Sequence, residues 1–205
     1  MTGSTPFPPL TRDWIAARLH SKAILPDDPA CPRFVHPADT TPVPAAVLVP
    51  IVNHAGSPTL LFTERTAHLH DHAGQISFPG GRVDEGDTDR SFTALREAEE
   101  ELGLPRHRIE VIGQLPDHDI MTGFRVTPVV GWVEPPLELN PDKFEVADVF
   151  EVPLSFFLDP GNHQRHHREV RGTLRHFYAM PYGDRYIWGA TAAMLRSLYW
   201  ILKSA

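Results

Sequence analysis

A chain of 205 residues with 41% hydrophobic and 22% charged side chains has the size and balance of one globular domain with a full core, which excludes collagen-like, coiled-coil and wholly disordered readings. Its 26 acidic against 19 basic residues give a net charge of −7, so counterion release cannot drive nucleic-acid binding, and an anionic ligand must be met by a local basic patch or by bound cations. A lone Cys31, no signal-peptide pattern, and a longest apolar run (45–52) far short of the roughly 20 residues that span a bilayer lead us to expect a cytoplasmic protein without membrane contact.

Residues 1–9 are small, polar and Pro-rich, and are expected to fray. Over 10–22, Trp14, Ile15 and Leu19 recur at helical spacing, with Thr11 or Asp13 as N-cap, predicting a short helix. A Pro-rich irregular connection follows over 26–44. Two β-type runs, 45–52 and 59–63, flank the turn-rich segment 54–58 and are expected to pair antiparallel. A short β-run at 75–78 ends in Pro79-Gly80-Gly81. The clearest helix, 88–102, opens on Asp87-Thr88-Asp89 and stops at Gly103. Strands are predicted at 109–115, 125–133 and 149–152, and a hairpin joins 163–170 to 173–180 about Arg171-Gly172. Ala192, Leu195, Leu198, Tyr199 and Leu202 predict a docked terminal helix over 191–202. Twenty-one prolines oppose a helical bundle, and the irregular interleaving of strands and helices predicts an α/β protein of the α+β type, with a mixed β-sheet sandwiched between helices.

The helix over 88–102 concentrates the chemistry. At 100° per residue, Phe92, Leu95, Ala98 and Leu102 form one apolar stripe, while Glu97, Glu100 and Glu101 gather on the opposite side and Glu99 points away. Such carboxylates repel one another near a helix C-terminus, where negative charge is already unfavourable. An isolated EAEEE run would be read as a solvated acidic face. Here Pro79-Gly80-Gly81 precedes it, a place where backbone can approach a ligand closely, and Arg96 can hold a carboxylate or phosphate in a forked hydrogen bond. A site for a hard divalent cation shared with substrate phosphates accounts for both features.

From Gly81 through Asp87 to Arg96-Glu97-Ala98-Glu99-Glu100-Glu101-Leu102-Gly103-Leu104, about 81–104, the sequence resembles the Nudix box of Nudix hydrolases. It departs from the general pattern in having Asp87 where a Glu is usual, and one extra residue before Arg96, which casts doubt on a direct catalytic role for Asp87. The upstream residues Leu61-Phe62-Thr63-Glu64-Arg65-Thr66, Leu69, His72, Gly74-Gln75-Ile76 and Phe78-Pro79-Gly80-Gly81 are similar to the signature of the coenzyme A pyrophosphatase subfamily, and Trp188-Gly189-Ala190-Thr191-Ala192 resembles its ending. The resemblance implies a Nudix fold over a single domain, 1–205. It also implies Mg²⁺- or Mn²⁺-dependent cleavage of coenzyme A or its thioesters to 3′,5′-ADP and a 4′-phosphopantetheine product.

By the same resemblance, Gly81 (through its carbonyl), Glu97, Glu100 and Glu101 bind metal, and Arg96 orients Glu97. The water-activating base varies in the family; it is one of these glutamates or a residue from a loop or strand edge, for which Glu145 and Glu151, flanking Asp148-Val149-Phe150, are candidates. Substrate cations come from outside the box, with Arg65, His72 and Gln75 as candidates and Arg65 the first choice for the 3′-phosphate; Gln75 bracing the glycine loop and His72 packing locally are equally open. His163, His166, His167 and His176 raise a weaker zinc reading, since zinc wants four tetrahedral ligands and Cys31 is far away; His68, His70 and His72 alternate without other ligand types. Competing activities are hydrolysis of another nucleoside diphosphate derivative such as ADP-ribose or NADH, and nucleotide sensing without cleavage. The partner expected is a small molecule; a homodimer stays open.

Overall fold

The computed structural model describes residues 7–21, 25–29, 31–67, 74–170 and 172–204. Its main sheet is built on β1 (Val43–Val52), which runs parallel to β7 (Phe124–Val133) from Val43↔Phe124 to Val52↔Val133. The other side of β1 changes partner along its length. Ala45–Val47 pair antiparallel with β4 (Gly80–Arg82), and Ile51 and Val52 pair with β2 (Thr59–Arg65). Pro50 falls between these partners, where the backbone N–H it lacks has no ladder to join, so a proline sits inside a central strand. β2 also pairs with β3 (Ile76–Ser77) and β8 (Val146–Pro153), and β7 with β5 (Ile109–Gln114) and β6 (His118–Asp119).

Helices cover both faces, as the mixed-sheet expectation requires. On one face α2 (Arg90–Leu102) buries Ala94, Ala98 and Leu102 against Ala46, Leu48, Leu61 and Val129. On the other, α1 (Arg12–Leu19), α3 (Leu154–Phe157) and α4 (Gly189–Lys203) join Ile15, Phe157, Leu195 and Leu198 to Phe62 and Val130. The predicted hairpin is β9 (Gln164–Val170) with β10 (Thr173–Tyr182), to which β11 (Arg185–Trp188) adds a third strand. β4, β6 and β11 are too short to announce themselves by alternation. Of the terminus expected to fray, residues 1–6 lie outside the described residues. Phe7 does not fray: its ring packs edge-on against Trp14 and Tyr199. No described helix is long and apolar enough to cross a membrane.

Candidate active site

The start of α2 sets the position of the whole cluster. The Asp89 side chain accepts from Phe92 N as N-cap, so the helix begins at Arg90, two residues later than the sequence suggests. Just upstream, Asp87 turns inward with its side chain 1% exposed. It accepts from Asp84 N at 2.9 Å and Thr93 Oγ1 at 2.8 Å, and takes a fork from Arg96 with Nε and Nη2 each at 3.0 Å. The remaining N–H groups of Arg96 reach Glu97 at 2.9 Å, Glu100 at 3.0 Å and the Arg82 carbonyl at 3.0 Å, so all five donors of the guanidinium are used. The fork holds the Asp87 carboxyl far below the usual carboxylate range, and Asp87 is thereby a structural partner of Arg96.

The glutamates are oriented differently from the sequence expectation. Glu97 and Glu101 do not oppose the buried stripe; they lie on it, beside Ala94 and Ala98, and Glu101 is 7% exposed. Phe92 and Leu95 are only half-buried, with Arg106 over the Phe92 ring at 4.8 Å. The helix approaches the sheet through small residues, which bring the two carboxylates down onto the glycine strand. A Cβ on Gly81 would stand 2.7 Å from Glu97 Oε2, so only glycine lets Glu97 rest there, and a Cβ on Gly80 would meet the Val47 Cα at 2.6 Å. Glu100 is the exposed member, and Glu99 pairs with Arg106 at 2.7 Å, away from the cluster as expected.

Burial raises the Glu97 pKa despite Arg96 beside it. Burial also pushes Glu101 up to about 8, helped by the charges of Glu97 and Glu145 and opposed by Arg65 and the Gly80 N–H. Glu145 and Arg65 are therefore in the field of Glu101. Backbone explains how Glu145 gets there: the N–H groups of Asn140 and Asp142 cap the carbonyls of Leu102 and Glu101, and the chain returns so that the Glu145 carbonyl accepts from Thr66 N, next to Arg65. The Nε of Arg65 is buried with no hydrogen-bond partner among the described residues.

The other candidates divide. Gln75 accepts Arg65 N through its carbonyl, and a Cβ on Gly189 would stand 4.0 Å from its Nε2, so it lies where the loop meets the start of α4. His72, with His68 and His70, falls outside the described residues. Glu151 is not brought to the cluster: it pairs across from Leu61 and is held by His54 at 2.6 Å and by Thr59, at the end of β2 remote from Arg65. His167 and His176 do face each other across the hairpin, and His166 stacks on Phe177. Among the described residues no group of three or more His, Cys, Asp or Glu stands ready-made around an ion; Glu97 and Glu100 both lean on Arg96 instead.

Residues 42–172 match the NUDIX domain family. The chain belongs to the Nudix family. It is 46% identical over 154 residues to an uncharacterized Nudix hydrolase, NudL, of Citrobacter koseri, covering 75% of this chain and 80% of that one, and 45% identical over the same length and shares to NudL of Escherichia coli K12. A crystal structure of a Nudix hydrolase from Alicyclobacillus acidocaldarius superposes with a TM-score of 0.49 at 18% identity, over 79% of this chain and 93% of that one. Nudix hydrolases act on small molecules and generally use divalent metal ions. The residues present suit such an ion: a half-buried and a buried carboxylate, both with raised pKa values, rest against the glycine strand, and the protein itself leaves their charge poorly offset.

Proposed function

We propose that this Nudix hydrolase cleaves the diphosphate of coenzyme A or its thioesters, giving 3′,5′-ADP and 4′-phosphopantetheine or its acyl form. The observation that carries the reading is the Glu97–Glu101 pair, a half-buried and a buried carboxylate brought onto the glycine strand, both with pKa values raised by burial. Glu97, Glu101, Glu100 after it leaves Arg96, and the Gly81 carbonyl would hold Mg²⁺ or Mn²⁺. When bound, the ion neutralises charge on the nonbridging phosphate oxygens. Arg96 orients Glu97 while anchored on Asp87. Glu145, in the turn before β8 and close enough to raise the Glu101 pKa, is a better candidate than Glu151 on β8 to accept the proton of the attacking water. Arg65, whose charge acts on Glu101 and whose Nε lacks a partner among the described residues, belongs with the diphosphate rather than the 3′-phosphate.

The coenzyme A assignment rests on the run Leu61–Thr66 and Gly74–Gly81, which forms β2, β3 and the glycine strand bordering the cluster. The test is product chromatography on coenzyme A, ADP-ribose and NADH side by side, with and without Mg²⁺ or Mn²⁺. Preferential metal-dependent release of 3′,5′-ADP from coenzyme A is expected. Faster cleavage of ADP-ribose or NADH would move the substrate class, and binding without cleavage of any of them would make the chain a sensor.

A further inference from the structure

A second concentration of chemistry lies on the other face of the main sheet. The C-terminal half of α4 carries Arg196, Trp200 and Lys203, seven to fourteen residues and so roughly 10–20 Å along the helix from the Gly189 end that meets Gln75. With Arg165 on β9 and Tyr178 on β10 they line a cavity of about 390 Å³. The cations are already braced: Arg196 lies 4.2 Å over the Tyr178 ring, and Lys203 lies 4.9 Å over Trp200. One carboxylate meets them. Asp28, from the segment between α1 and β1, is 3.4 Å from Arg196 and 3.7 Å from Arg165, and accepts from the Tyr178 hydroxyl.

Two further lining side chains hold ring nitrogens that are buried without a hydrogen-bond partner among the described residues. They are Trp200 Nε1 and His163 Nδ1, the latter on a ring whose Nε2 donates to the Phe157 carbonyl at 2.8 Å. Trp200 Nε1 is a donor, and a buried donor left unsatisfied costs about 1–3 kcal/mol, so the cavity carries donor capacity that the chain does not use; His163 Nδ1, on a ring that already donates from Nε2, is an acceptor and adds none. Among the described lining side chains, three cations against the one carboxylate of Asp28 leave a surplus of two positive charges, in a protein whose net charge is −7. That surplus matches a dianion better than a second carboxylate, and guanidinium forks match phosphate oxygens.

We propose that this cavity is a second ligand site, binding a phosphate dianion between Arg165, Arg196 and Lys203, with Asp28 as the internal anion it displaces or shares. It needs neither the glutamates of α2 nor a metal, and so stands apart from the hydrolytic reading. The dianion is free phosphate or the terminal phosphate of a monoester.

The test is a titration of the ¹⁵N-labelled full chain in EDTA with inorganic phosphate, and separately with AMP, following the Trp200 indole N–H, assigned with Trp200→Phe. Potassium chloride at matched ionic strength is the control. The expected result is a saturable shift of that resonance with a Kd in the millimolar range or below, unchanged in Glu97→Gln and weakened at least tenfold in Arg165→Gln/Lys203→Met at an unaltered melting temperature. Tighter binding of AMP would identify a phosphate ester as the ligand, and equal binding free phosphate. A shift that fails to saturate, one reproduced by chloride, or equal affinity in the folded double variant would overturn the proposal. If the double variant does not fold, Lys203→Met alone carries the comparison, since its side chain ends the last turn of α4.

Discussion

Asp87 and Glu101 are both buried carboxylates of the same box, at opposite ends of one helix, and the protein treats them in opposite ways. Asp87 receives a two-pronged Arg96 fork, a hydroxyl and a backbone N–H, and its pKa falls. Glu101 is buried with Glu97 and Glu145 in its field and only Arg65 and one N–H in compensation, and its pKa rises to about 8. A carboxylate satisfied by its own chain stabilises the fold, whereas one left unsatisfied has a partner elsewhere. Residue type and burial alone do not separate these roles; the count of donors does.

The largest effect expected from this contrast is on turnover. Glu101→Gln should lower kcat about 10²–10⁴-fold, the loss that follows when several kcal/mol of charge neutralisation is withdrawn from the reacting phosphates. Its metal-free melting temperature should hold near neutral pH, where Glu101 keeps its proton, and rise by a few degrees above about pH 8, where an ill-compensated buried charge is removed. Steady-state rates at saturating Mg²⁺ and a thermal melt in EDTA check both halves.

Asp87→Ala should show the reverse pattern. Leaving Arg96 without its main partner removes charge-assisted bonds worth about 2–3 kcal/mol, lowering the melting temperature by about 5–10 °C, while kcat at low temperature stays within about tenfold of the parent. Arg96 keeps Glu97 and Glu100 in that variant, which limits the damage to the cluster.

A smaller effect lies in pH. Glu101 titrates near 8 when folded and near its ordinary 4.5 when unfolded, so between those values the folded chain keeps a proton that the unfolded chain has lost. Its contribution to metal-free stability therefore falls as pH rises from about 5 to about 8. Asp87 works the other way: its contribution is present above the ordinary carboxylate pKa and is lost as pH falls below it. Burial lowers the pKa of His118 and of His163, so their contributions grow as pH rises to about 6.5 and offset that of Glu101 there; urea midpoints in EDTA should accordingly decline between about pH 6.5 and 8, and Glu101→Gln should flatten that limb while leaving the acid limb in place.

Much of this was legible in the sequence. The opening Asp87-Thr88-Asp89, the Gly103 stop and the run from Arg96 to Leu104 mark α2 and its chemistry, though not which of the opening residues caps it, and β1, β2, β7 and the hairpin follow from their composition and turns. The face of α2 was misleading because hydrophobicity ranks Phe92 and Leu95 above Ala94, while close packing on a sheet selects the small residues and carries Glu97 and Glu101 inward with them. Glu145 and Glu151 look alike in sequence; only the backbone bonds from Asn140 and Asp142 to the end of α2 separate them. The basic cavity was illegible because its parts come from residue 28, β9, β10 and α4, which no local pattern joins.

The central claim is that the cluster's missing charge is a divalent cation held through Glu101. Direct Mn²⁺ binding, read from the loss of the free-ion electron paramagnetic resonance signal, tests it without substrate. The parent and Asp87→Asn should bind Mn²⁺ with affinities within a few-fold of each other, and Glu101→Gln should bind at least tenfold more weakly. Equal binding by Glu101→Gln, or an equal loss in folded Asp87→Asn, would contradict it.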